Sequence, residues 1–152
     1  MKVTAPKDFP DHHDAELVLR LYELRRESVL RASRETITRE FWPRSVEEVQ
    51  AVIAWDHPMN TAFRQVVGYW ELAYGLGRHG IVHAEYLAEA SGGEALILYA
   101  KLAPFLAELR ESAGARFLRN IEWIATETET GRELVARMTP RVEAMRDQRA
   151  SG

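Results

Sequence analysis

The sequence predicts an all-α protein, because its long apolar stretches repeat with the period of a helix and none alternates with the period of a strand. In the clearest stretch, 60–80, apolar residues recur every three or four positions and so line one helix face. They are Phe63, Val66, Val67, Trp70, Ala73, Tyr74 and Gly77. The 152 residues have the length of one domain. We therefore predict a single compact bundle of six or seven helices over 14–148, after an extended arm at 1–13.

The first helix is predicted over 14–40. Its buried stripe is expected at Leu17, Val18, Leu21, Tyr22, Leu24 and Val29. The second half, 31–39, is so polar that it should project from the body or pack against something outside this chain. Pro43 limits the helix, because proline disfavours helical geometry in the residue before it.

Capping signals predict the next boundaries. Ser45 and Glu48 have the three-residue spacing of a capping box, which would begin a short helix. Asn60 is expected to cap the central helix, and Gly80 to end it in a left-handed conformation. A short helix should follow from about His83 and break at Gly92-Gly93.

The C-terminal part is predicted to form three further helices, at 94–111, 115–126 and 131–146. Pro104 should kink the first of them, because proline cannot donate a backbone hydrogen bond. The last should begin with a second capping box, formed by Thr130 and Glu133.

Composition and charge exclude several classes of function. The net charge is −3 and acidic residues are interleaved with the basic ones, so nucleic-acid binding is not expected. The absence of cysteine excludes disulfides, thiolate metal sites and a cysteine nucleophile. There is no apolar run of the 18 or so residues that span a bilayer, and residues 1–8 lack the apolar core of a signal peptide. We expect a cytoplasmic protein with no membrane association.

Histidines offer the first candidate site. His79 and His83 are four residues apart, the spacing that lets two imidazoles share a metal on one helix face. Gly80 lies between them and should end the helix, so we expect no metal there and no cofactor. A second group lies on the arm and is interpreted as polar surface; it consists of His12, His13, Asp14 and Glu16.

Arg78 and His83 offer a catalytic alternative. Arg78 is followed directly by a polar residue, and four residues separate it from His83. This pattern is similar to the motif of the helical HEPN ribonucleases, in which Arg and His act on an RNA phosphate. An imidazole can transfer the 2′-hydroxyl proton while a guanidinium stabilises the phosphorane charge. This sequence departs from that family, because its motif crosses Gly80 in mid-chain instead of lying on an intact late helix.

A ligand pocket is the third possibility. Trp70 with Glu71, and Glu122 with Trp123, place a carboxylate beside an indole, so Glu71 or Glu122 could anchor a small ligand in an apolar pocket. Glycines at 68, 75 and 77 would let a flat ligand or a neighbouring backbone approach the central helix. We favour the interpretation that these glycines permit close helix packing.

Several segments resemble a group of small uncharacterised helical bacterial proteins. In these, a Tyr-Trp-Glu helix ends at glycine and is followed by a helix with a Lys/Arg-x-x-Pro centre. Tyr69-Trp70-Glu71, Gly80 and Lys101 to Pro104 match this pattern. The resemblance implies one helical domain and no assigned activity.

The function predicted from the sequence is that of a non-catalytic interaction or accessory protein. The Arg-rich end of the first helix and the tryptophans Trp42 and Trp55 support it, since Arg and Trp are enriched at binding hot spots. We expect self-association or a protein partner.

Overall fold

A computed structural model describes residues 7–152 and confirms the all-α prediction, since these residues form helices and turns and no strand. The helices are α1 (His12–Leu24), α2 (Ser28–Glu40), α3 (Val46–Ile53), α4 (Asn60–Arg78), α5 (Ala84–Leu102), α6 (Leu106–Ala113), α7 (Arg119–Glu127) and α8 (Glu129–Ala150). A 3₁₀ turn at Ala103–Phe105 separates α5 from α6, where Pro104 predicts a kink. Residues 1–6 of the predicted arm lie outside the described part of the chain.

The core lies around α4 and α5. Helix α8 lies along α5, while α2 and α7 pack against α4. Trp70 on α4 and Leu102 on α5 are fully buried, as their places on the apolar faces predict. Among the helices described for residues 7–152, none is both long and apolar enough to cross a membrane.

The prediction of one helix over 14–40 is wrong, because the chain turns between α1 and α2. Glu27 caps α2 by accepting hydrogen bonds from the N–H groups of Val29 at 3.0 Å and Leu30 at 2.9 Å. Glutamate is not among the preferred capping residues, so the sequence carries no clear signal for this turn. The turn brings α2 back onto α4, so 31–39 does not project.

The new direction of the chain also changes which residues are buried. Tyr22, Leu24 and Val29, expected in the core, are exposed, whereas Leu30, Ser33 and Ile37 form the buried stripe of α2.

The predicted break at Gly92-Gly93 is also wrong, because α5 runs through both residues. A Cβ added at Gly92 would lie 2.6 Å from Cδ1 of Leu134 on α8. Glycine therefore lets α5 and α8 approach closely at this point. Gly93 faces open space, with nothing within 4 Å of its Cβ position.

The end of α4 confirms the prediction at Gly80, whose φ is 72°. The N–H of Gly80 donates to the carbonyl of Gly77 at 3.1 Å, and that of Ile81 to the carbonyl of Leu76 at 2.9 Å. These two bonds form a Schellman motif, which satisfies carbonyls that the last helical turn leaves free.

Two capping predictions are wrong, at the starts of α4 and α8. Asn60 does not cap α4; its amide donates to the carbonyls of Val52 and Ile53 at the end of α3, at 3.0 and 2.9 Å. Helix α8 begins before Thr130, with the Thr128 hydroxyl accepting from the Gly131 N–H at 2.9 Å. Ser45 does cap α3, although Glu48 accepts from the N–H of Arg44 instead of completing the box.

Two glycine substitutions should change stability in opposite directions. Gly93→Ala should raise the free energy of unfolding by about 1 kcal/mol, because alanine is favoured in an exposed helix interior. Gly131→Ala should lower it by about 1–3 kcal/mol, because the new methyl group would meet the Ile124 carbonyl oxygen, 2.0 Å from the Cβ position. Urea denaturation followed by circular dichroism measures both. Equal shifts in the two variants would contradict this account of α5 and α8.

Candidate functional site

His83, the residue shared by the catalytic and metal hypotheses, is the N-cap of α5. Its Nδ1 accepts a hydrogen bond from the backbone N–H of Tyr86 at 3.1 Å. Its own N–H donates to the carboxylate of Asp14 at 3.1 Å. The imidazole is therefore occupied in starting a helix, and this geometry lends no support to a ribonuclease site formed with Arg78.

Arg78 and His79 lie at the end of α4. Nη1 of Arg78 is 3.3 Å from Nε2 of His79, a contact between neighbours in sequence. Gly80 and the connection to α5 separate them from His83, as the sequence predicts. Across residues 7–152 no three His, Asp or Glu side chains are grouped so that they could hold a metal ion.

Glu71, proposed as a ligand anchor, caps α7. Its two carboxylate oxygens accept from the backbone N–H groups of Ile121 at 2.7 Å and Asn120 at 3.3 Å. Burial raises the pKa of Glu71, although the hydrogen bonds from Ile121 and Asn120 act in the opposite direction. The helix predicted from 115 accordingly begins at Arg119, after Leu118 in a left-handed conformation with φ 57°.

Glu122 and the central glycines also have structural partners. Glu122 accepts from Arg110 at 3.0 Å, which ties α7 to α6. At Gly75, a Cβ would lie 2.8 Å from the side chain of Asn120, and at Gly77 it would meet Leu87 and Ile124 at 3.0 Å. These two glycines serve helix packing, whereas Gly68 faces open space.

Asp14, which the sequence leads us to expect as a polar residue exposed on the surface, is 0% exposed. Its carboxylate accepts from Lys7 Nζ at 3.0 Å and from the backbone N–H groups of Asp11 at 2.8 Å and His83 at 3.1 Å. Burial alone would raise the pKa of Asp14, but these hydrogen bonds outweigh it and the pKa lies below its ordinary value. Asp14 thus connects the start of α1 to the start of α5.

Two polar clusters in the interior are absent from the sequence-based candidates. The first surrounds Glu94 on α5. Arg34 donates to both of its carboxylate oxygens, from Nε at 2.8 and 2.9 Å and from Nη2 at 2.6 Å. Arg25 adds a bond at 3.3 Å, and the indole N–H of Trp70 another at 3.2 Å. One carboxylate therefore joins α2, α4, α5 and the turn after α1.

The charge of Glu94 is stabilised by this arrangement. Burial alone would raise the pKa of Glu94, but the hydrogen bonds and charge of Arg34, with Trp70 and Arg25, outweigh it and lower the pKa. The Arg25 guanidinium also stacks on Tyr22 and Trp70, at 4.8 and 5.4 Å from the ring centroids. Every acceptor atom of Glu94 is engaged, so the cluster stabilises the fold and presents no free base.

The second cluster surrounds Lys101, whose side chain is almost fully buried although lysine is ordinarily a charged surface residue. Its Nζ donates to the Ile37 carbonyl at 3.1 Å and lies 3.9 Å from the centroid of the Trp42 ring. Among the groups of residues 7–152 that shift its pKa, none is a carboxylate; burial comes first, followed by the charges of Arg149 and Arg146. Together these lower the pKa of Lys101 to about 7.

A signal for both clusters exists in the sequence, although the expected break at Gly92-Gly93 hides it. Once α5 is continuous, Glu94 and Lys101 fall on the face of the helix that carries Leu87, Ser91 and Leu98. A charged residue at such a position has to find a partner inside the protein. The spacing could have identified both residues, but not their partners.

Glu94→Gln should lower the free energy of unfolding by roughly 2–4 kcal/mol, because it leaves two half-buried guanidinium groups without their anion. Glu89→Gln, an exposed change on the same helix, should stay within about 0.5 kcal/mol of the parent protein. Denaturant unfolding at neutral pH compares the two.

The pH dependence gives a second readout for Glu94. Since its pKa is lowered on folding, its contribution is present above the unfolded pKa and is lost as the pH falls through the folded one. Glu94→Gln should therefore flatten the acid limb of the stability profile. An unchanged acid limb would contradict the ion-pair account.

Lys101→Met should remove a rise in the free energy of unfolding between neutral and alkaline pH. The folded pKa of about 7 lies below the ordinary value of 10.5, so between these pH values the unfolded chain holds a proton that the folded chain lacks. Stability of the parent should therefore rise with pH across this interval, by up to about 5 kcal/mol, and be lowest below it. The methionine variant should lack this rise, whereas Arg137→Met, an exposed change on α8, should keep it. Parallel profiles of parent and Lys101→Met would contradict the prediction.

Comparison with known proteins places the chain in a family but assigns no activity. No curated protein and no solved structure is significantly similar to it. A family model, described as a domain of unknown function and named DUF4760, matches residues 10–128. The match includes Glu94 and Lys101 and ends at Thr128, where α8 begins. The chain therefore belongs to the DUF4760 family of helical domains.

Proposed function

We propose that this protein is a non-catalytic interaction protein that associates with a second copy of itself through the surface around Trp55. The observation that carries the proposal is the exposure of this side chain, 84% of which is open to solvent. The other tryptophans are buried or half-buried. Tryptophan is the residue most enriched at the energetic centres of protein interfaces, so a fully presented indole favours a binding role.

A groove beside Trp55 supports the same conclusion. It has a volume of about 230 Å³ and is lined mainly by apolar side chains, among them Phe41, Pro43 and Met59. Small-molecule pockets usually have about 300–1,000 Å³, so this groove suits a single large side chain better than a ligand. Val52, His57 and Met59, close to Trp55 in sequence, lie in its wall.

A second copy is the partner that this arrangement favours. In a two-fold symmetric interface the same patch on each subunit must contain both the inserted group and its receptor. The chain lines the groove on both sides of Trp55, at Val52 and at His57, so we infer that each copy inserts its indole into the groove of the other. His83, a candidate for catalysis, and Glu71 and Glu122, candidates for anchoring a ligand, are engaged in caps or an ion pair.

Sedimentation velocity over a wide range of concentrations tests the proposal. The parent protein should form a dimer, and Trp55→Ala should raise its dissociation constant about thirtyfold, the effect of losing a hot spot worth about 2 kcal/mol. Ala51→Glu, which adds a charge to the wall of the groove, should have a similar effect.

Leu72→Ala is the matched control, because it removes another exposed apolar side chain, 74% open to solvent, on α4. It should leave the dissociation constant unchanged. A parent protein that stays monomeric at all concentrations, or variants that all dimerise equally well, would overturn the proposal.

A further inference from the structure

Three cations converge where the C-terminal ends of α2 and α5 meet α8, and few anionic groups balance them. Lys101 on α5 and Arg149 on α8 both contact the ring of Trp42, with charge-to-centroid distances of 3.9 and 5.4 Å. Arg146, one turn before Arg149, stacks on Phe105 at 5.3 Å. We call Lys101, Arg146, Arg149 and Trp42 the cation cluster.

The negative ends of two helices offset part of this positive charge. Lys101 donates to the Ile37 carbonyl at 3.1 Å and Arg149 to the Arg39 carbonyl at 2.6 Å, both in the last turn of α2. Arg146 donates to the Lys101 carbonyl at the end of α5. Each helix end contributes about −0.5 charge, so the two ends offset about one of three positive charges. Glu143 is the acidic group that acts on Arg146, which leaves the cluster net positive when Lys101 is protonated.

Two hydrogen-bond donors of the cluster are unused. The indole Nε1 of Trp42 and the Nε of Arg146 are buried and have no hydrogen-bond partner among residues 7–152. Buried donors are nearly always paired, because an unpaired one costs about 1–3 kcal/mol. An anion with several acceptor oxygens would both neutralise the excess positive charge and accept hydrogen bonds from unpaired donors.

We propose that the cation cluster binds an oxyanion of the phosphate class, held between the guanidinium groups of Arg146 and Arg149, with Lys101 adding its charge from the interior. The two arginines are three residues apart on α8 and so lie on one face, with Cβ atoms about 5–6 Å apart. Guanidinium groups bind phosphate through paired N–H donors, which suits them as the direct ligands. The family match includes Lys101 and ends before both arginines.

Binding should be coupled to a proton. Burial and the two arginines lower the pKa of Lys101 to about 7, and a bound anion would raise it again. Anion binding should therefore favour the protonated form of Lys101, which adds proton uptake near neutral pH to whatever proton change the phosphate itself undergoes. A cavity of about 10 Å³ beside Lys101 is also lined by Arg34 and Glu94, which pair with each other. Arg39, whose carbonyl accepts from Arg149, pairs with Glu35, so the carboxylates of these two pairs already have cationic partners of their own.

Isothermal titration of the whole protein with inorganic phosphate tests this site, at constant ionic strength and in two buffers with different heats of ionisation. The parent should bind one phosphate per chain, with proton uptake revealed by the difference between the buffers. Lys101→Met should weaken binding roughly tenfold, since one charge is removed from a poorly screened position. It should also take up fewer protons per bound phosphate than the parent does. Arg149→Gln, an exposed change that leaves the interior intact, should weaken binding at least as much.

Arg141→Gln is the control, because it removes an exposed arginine from α8 outside the cluster. It should bind phosphate as the parent does. The proposal is overturned if the parent shows no saturable phosphate binding, or if Arg149→Gln binds phosphate as tightly as Arg141→Gln. Equal proton uptake by the parent and by Lys101→Met would likewise exclude Lys101 from the site.

Discussion

The ion pair between Glu94 and Arg34 is the interaction on which the arrangement of the helices depends. It lies in a partly buried position, where an isolated carboxylate would be costly, and it is completed by Arg25 and the Trp70 indole. Both arginines reach Glu94 because the chain turns between α1 and α2. The turn, the direction of α2 and the buried Trp70 therefore all meet at a single satisfied carboxylate.

The Tyr-Trp-Glu segment of α4 extends this connection to other helices. Tyr69 donates to the Leu21 carbonyl of α1 at 2.5 Å, Trp70 to Glu94 of α5, and Glu71 accepts from the start of α7. Three consecutive residues point in different directions around a helix, so each can hold a different neighbour. The motif that marks the resemblance to other small helical proteins thus has a structural role, which agrees with a family model that carries no activity.

Polar side chains in this protein are largely used to connect helices, and this limits what the sequence could reveal about function. His83, Glu71 and Glu122 attract attention as chemistry-bearing residues, yet each is engaged in a cap or an ion pair. The features that remain as candidates for a functional role are an exposed indole at Trp55 and a cluster of cations around Lys101. The first is visible in the sequence as a tryptophan near a turn. The second requires α5 and α8 to be placed side by side.

Local sequence patterns determined the fold class, the buried face of α4, the stop at Gly80 and the start of a helix near His83, because these depend on residues at most four positions apart. The tertiary structure decided the turn after α1, the continuation of α5 through Gly92 and the partners of Asn60, Glu94 and Lys101. Arg34 and Glu94 are 60 positions apart, and Ile37 and Lys101 are 64. Local spacing cannot identify such pairs, because they form only when packing brings the helices together.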